Sequence, residues 1–122
     1  MEQIKTKLLQ RLDILEASKQ IDKSSKDKVL QILTNFQNYS NININKEHLE
    51  PFFTHFSLAI QRNINNNPVE TMEDVIKNEI INHKKYLRLN EILAKISHDI
   101  NLKFNEAESI LLLSYLILIY GE

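Results

Sequence analysis

The chain reads as all-α, a bundle of five to six helices, on three observations. Apolar residues return at steps of three and four over segments long enough to be helices. One glycine and two prolines in 122 residues leave few places for tight turns. A closing stretch, 110–120, is apolar on every side apart from Ser114, and a helix of that kind lies in the middle of a bundle or is shared with another subunit. Both are expected here, the second through a homodimer.

The first element is an amphipathic helix marked by Ile4, Leu8, Leu12 and Leu15, with Lys5, Lys7, Arg11, Asp13 and Glu16 mostly on its other face. Ser24 and Asp27 have the spacing of a capping box, and Val29, Ile32, Leu33, Phe36 and Tyr39 then predict a second helix to about Asn38. Residues 38–45 alternate polar residues with Ile42 and Ile44. Asparagine is a poor strand former and no partner strand is visible, so a loop is expected. Pro51 suits a first turn and not a helix interior, which predicts a kink or a restart near it; His48 is a loop residue if the helix restarts.

After a polar loop at 63–67, Asn67, Pro68 and Glu70 predict a helix start, with Val69, Met72, Val75, Ile76 and Ile80 as its buried face and an end near Asn82. Tyr86, Leu89, Leu93, Ile96 and Ile100 predict a further helix with a continuous seam. Asn105 and Glu108 form a second capping-box pattern, which introduces the closing helix.

The chemistry centres on 52–62, Phe-Phe-Thr-His-Phe-Ser-Leu-Ala-Ile-Gln-Arg, read as one helix. His55, Ala59 and Arg62 share a stripe beside an apolar face containing Phe52, Phe53, Phe56 and Ile60. Seven helical residues separate the Cα atoms of His55 and Arg62 by roughly 10 Å. Long helical side chains lean toward the N-terminus, which biases the guanidinium toward the imidazole. A negative charge placed on His55 has a cation within reach.

That stretch resembles the first histidine motif of the PTS regulation domain (PRD), the helical module of bacterial antiterminators and activators controlled by the phosphoenolpyruvate sugar phosphotransferase system. The resemblance makes His55 a phosphorylation site and Arg62 the family's arginine, here a phosphate-stabilising residue. It extends over roughly 21–119: Asn67, Pro68 and Val69 match the family's Asn-Pro step, and Glu108 its glutamate before the closing helix. A second phosphorylatable histidine is implied seven residues later, where this chain has Tyr115. The expected organisation is an N-terminal helix, 1–20, packed on a PRD-like domain, 21–120. The partners implied are the histidine phosphocarrier protein or a sugar-permease component. Since 122 residues leave no room for a fused effector, action in trans is expected on transcription or a metabolic partner.

Other classes find little support. Lys plus Arg is 15 and Asp plus Glu 16, a net charge of −1, which offers no attraction to nucleic acid. Without cysteine there is no disulfide framework, and the start of the chain lacks the apolar core of a signal peptide, so a cytoplasmic protein that does not enter the membrane is expected. His48, His83 and His98 lack metal-ligand spacing, and no glycine-rich phosphate loop or convergent carboxylate set appears. No enzyme, metal or cofactor is expected. The plain alternatives are an ordinary histidine at a packing edge for His55, a snorkelling helix-end cation for Arg62 and a core or interface aromatic for Tyr115. At the level of function, the alternative is an interaction or structural dimer module, independent of phosphorylation and associated with a metabolic enzyme complex.

Overall fold

The computed structural model describes residues 2–40 and 44–121. Six α-helices account for most of them: α1 (Glu2–Ala17), α2 (Lys23–Asn35), α3 (Leu49–Ile64), α4 (Asp74–Ile81), α5 (Tyr86–Asp99) and α6 (Glu106–Tyr120). Two 3₁₀ turns, Phe36–Tyr39 and Lys46–His48, lie between α2 and α3. The all-α expectation holds.

Three helices end the same way without glycine. The third residue past the helix donates its N–H to the carbonyl five residues back, and the residue before it donates to the carbonyl three back. Gln20 bonds Leu15 and Lys19 bonds Glu16; Asn67 bonds Arg62 and Asn66 bonds Asn63; Leu102 bonds Ser97 and Asn101 bonds His98. The turning residues Lys19, Asn66 and Asn101 have φ of 65°, 60° and 54°. Asparagine tolerates this left-handed conformation better than most residues, while a lysine there is strained.

Helix α2 opens on Asp22, whose carboxylate accepts from the Ser25 N–H at 3.0 Å, and not on the expected Ser24 and Asp27 box. That hydrogen bond, the largest cause, holds the Asp22 carboxyl below the usual range. The helix stops at Asn35, short of the expected Asn38, because the chain tightens into a 3₁₀ turn. There Phe36 is buried among Phe52, Phe53 and Tyr120, and the Tyr39 hydroxyl donates to Asp99 at the end of α5. In the expected loop, Ile42 lies outside the described residues. Pro51 sits third in α3, whose N–H groups at this end have no intrahelical acceptor, so the helix restarts at Leu49 after the 3₁₀ turn that contains His48.

One expected element moves. Residues 67–73 are not helical, and α4 begins only at Asp74. Asn67 is committed to closing α3, while the Val69 N–H and C=O bond side chains of α6 (Glu108 Oε2 and Asn105 Nδ2, both 2.9 Å) instead of entering a helix. Of the expected buried face only Ile80 is buried; Val75 is 72% exposed and Ile76 39%.

The core is continuous, from Leu8, Leu12 and Leu15 of α1 through the phenylalanines of α3 to Ile110, Leu113, Leu116 and Ile119 of α6. Helix α6 packs on α3, α4, α5 and the Lys46–His48 turn, and Leu118 is its one large apolar side chain exposed among the described residues. Neighbours within one chain therefore meet its need for cover. Helix α1 lies on α3 and α2, tied by Arg11 to Glu50 at 3.3 Å and by Lys26 to Asp13 and Glu16. The sequence reading missed Gln61, whose buried amide joins α2 to α3. Its oxygen accepts from the Asp22 N–H and the Ser25 hydroxyl, each at 2.7 Å, and its nitrogen donates to Asp22 and Asn65.

Gln61→Ala, which leaves the Asp22 N–H and Ser25 hydroxyl without their acceptor, is expected to cost about 1–3 kcal/mol in urea unfolding. Lys19→Gly removes a left-handed strain and is expected to raise stability by roughly 1 kcal/mol in the same measurement.

Candidate functional site

Helices α3 and α6 carry the site, and they meet antiparallel. On α3, His55 and Arg62 are seven residues apart; on α6, Glu108 and Tyr115 are also seven apart. The outer pair are aromatic: the His55 imidazole stacks on the Tyr115 phenol ring, with centroids 4.6 Å apart and 17° between planes. The inner pair are ionic: Arg62 Nε donates to Glu108 Oε2 and Nη2 to Oε1, each at 2.7 Å.

A two-pronged guanidinium–carboxylate pair of this geometry is among the stronger polar contacts available to side chains. Its environment is lopsided, since the Glu108 side chain is 1% exposed and that of Arg62 34%. Glu108 Oε2 also accepts the Val69 N–H, and the Glu108 N–H donates to the N-cap Asn105 at 2.8 Å. The second capping box is thus half formed. Asn105 caps the helix as expected, but the glutamate reaches across to α3 rather than back to its own N-terminus.

His55 itself is exposed, with one ring face against Tyr115. Desolvation first, and the Arg62 charge second, hold its pKa below the ordinary imidazole value of 6.5. At neutral pH the ring is uncharged and one nitrogen keeps its lone pair. The Glu108 hydrogen bonds, the largest cause, raise the pKa of Arg62, which stays a cation throughout.

The expected site residues therefore fall on one seam. Sequence spacing placed His55 and Arg62 on one stripe but gave no sign that Tyr115 is the ring His55 rests on. Nor did it show that Glu108 takes up both prongs of Arg62. The signal was present in the matching seven-residue intervals, which bring both pairs together once the helices are set antiparallel. The other histidines lie elsewhere. His48 and His83 line a concavity of about 380 Å³ with Ile117 and Leu118, and His98 lines one of about 350 Å³ with Phe104 and Ser109. The His83 Nδ1 accepts the Lys85 N–H. Among the described residues no group of three or more His, Asp or Glu is placed to hold a metal ion, and no helix is long and apolar enough to cross a membrane.

In comparison with known proteins, the family model described as the PRD domain matches residues 30–118, well over half of the chain. No curated protein and no solved structure matches. The matched region takes in both partners of each pair on the seam; α1 lies outside it.

Arg62→Leu, which strands the buried Glu108 carboxylate, is expected to cost about 3 kcal/mol in urea unfolding, near the low end for breaking a buried pair because Arg62 is partly solvated. The His55 ring is expected to titrate below 6.5 when followed by NMR of its carbon-bound protons. Since the folded value is the lower one, His55 favours the fold fully above the unfolded value of about 6.5, and that contribution is lost as pH falls through the folded value.

Proposed function

Because the chain belongs to the PRD domain family, regulatory and non-catalytic modules of the sugar phosphotransferase system, we propose that it receives a phosphoryl group on His55 and passes that state to a partner protein in control of transcription or metabolism. The observation that carries this reading is an exposed imidazole, uncharged at neutral pH, on the helix that also bears Arg62. In the transfer, the lone pair of the ring nitrogen attacks phosphorus. The donor's phosphorus–nitrogen bond breaks, and its electron pair returns to the donor imidazole. The donor is a phosphohistidine of the phosphocarrier protein or of a sugar-permease component.

Tyr115 stacks on one face of the ring, and the exposed position of His55 leaves room for a donor to approach. The modification adds about −1.5 to −2 charge beside Arg62, which stabilises it. The reading includes a cytoplasmic location and a homodimer, for which the exposed Val75, Ile76 and Leu87 supply apolar surface. A single-chain mass at all concentrations in sedimentation removes the dimer.

A second reading, an interaction or structural module independent of phosphate, is favoured by Tyr115 at the position of the family's second histidine and by the engagement of Arg62 with Glu108. Incubation with the general phosphotransferase components and labelled phosphoenolpyruvate separates the two. Acid-labile label that disappears in His55→Ala is expected. Without label, or with label unchanged in the variant, the phosphoryl reading fails; a partner retained equally by His55→Ala in a pull-down then supports the second.

A further inference from the structure

The Glu108 carboxylate serves two masters at one oxygen. Oε2 accepts from Arg62 Nε at 2.7 Å and from the backbone N–H of Val69 at 2.9 Å. The Val69 carbonyl is held in turn by Asn105 Nδ2 at 2.9 Å, so the first turn of α6 grips both backbone groups of one residue in the non-helical segment 67–73. That segment leads directly into α4, whose other hold on the fold is the partial packing of Ile81, and of Met72 just before the helix, on the core and its contact with α6. Ile80 is its one buried residue, Val75 is 72% exposed, and the Lys77–Glu106 pair at 2.8 Å lies at the surface. Surface pairs of that kind are worth little.

Arg62 is therefore shared between a buried anion and the neighbourhood of His55. We infer that Glu108 transmits a phosphoryl charge on His55: the charge competes for Arg62, and the weakened carboxylate lets go of Val69, freeing residues 67–73 and the start of α4. This inference rests on the phosphoryl reading of His55. Arg62 lies two turns beyond His55 on the same helix, and its long side chain leans toward the N-terminus, so it reaches toward the new charge without any backbone movement. A carboxylate 1% exposed cannot keep its charge cheaply once the guanidinium turns away. It turns toward water, and that movement draws Oε2 away from the Val69 N–H. Among the described residues, the ties of α1 and α2 run through Gln61, Glu50 and Lys26, away from the Arg62–Glu108 pair.

Amide hydrogen exchange on the full chain tests this, comparing the unmodified protein, the protein after phosphotransferase treatment, His55→Glu and His55→Gln. His55 is exposed, so both variants are expected to fold. In the phosphorylated protein and in His55→Glu, amides of 69–77 are expected to exchange on the order of tenfold faster, as an ordinary coupling between sites gives. The α2 and α5 amides and all of His55→Gln are expected to keep the unmodified rates. In Glu108→Gln, phosphorylation is expected to add nothing further at 69–77. Label on His55 with unchanged exchange at 69–77 overturns the inference and leaves the phosphoryl reading standing. Equal acceleration in His55→Glu and His55→Gln also overturns it, since loss of the ring rather than gain of charge is then the cause. Absence of label removes the phosphoryl reading, while the two variants still decide whether Glu108 reads charge at this position.

Discussion

The pairing of Arg62 with Glu108 is the constraint on which the arrangement of the α3–α6 seam depends. A carboxylate this deeply enclosed is tolerable only with a cation and further donors around it, and the chain supplies a guanidinium, a backbone N–H and a capped helix start. Meeting those demands fixes the relative register of α3 and α6. It also dictates that the chain after α3 runs unwound across the first turn of α6, because Val69 has to present its N–H there. The stacking of His55 on Tyr115 follows from the same register and needs no separate cause.

Much of this was legible in the sequence, and the failures share a physical reason. The helices with long periodic faces, α1, α3 and α5, were placed well because their burial is decided by local spacing, and α6 because an all-apolar run has to be enclosed. The start of α4 was misplaced because Asn67, Pro68 and Glu70 carry genuine local capping preferences. Those preferences lost to hydrogen bonds made by Asn105 and Glu108, almost forty residues away. The same distance effect hid Gln61, a residue unremarkable in composition that becomes a junction only when Asp22 and Ser25 arrive beside it. His55 and Arg62 could be read from their interval, whereas their partners on α6 could not be assigned before the direction of packing was known.

The single glycine of the chain also takes on a different meaning in the fold. A scarcity of glycine argued for few turns, yet α1, α3 and α5 all end in left-handed turns made by lysine and asparagine. Asparagine supplies two of the three at modest cost, which lets a chain rich in asparagine close its helices without the residue ordinarily used. The polar tracts between helices are thus part of how the helices stop.

The equal seven-residue intervals on α3 and α6 lock translation. Shifting one helix by a single turn, about 5.4 Å, separates the ring stack and the ion pair together, since each residue leaves its opposite number at the same moment. No intermediate setting keeps one and gives up the other. Gradual sliding is closed to these two helices, and whatever changes at their seam does so through side chains exchanging partners on an unmoved backbone frame.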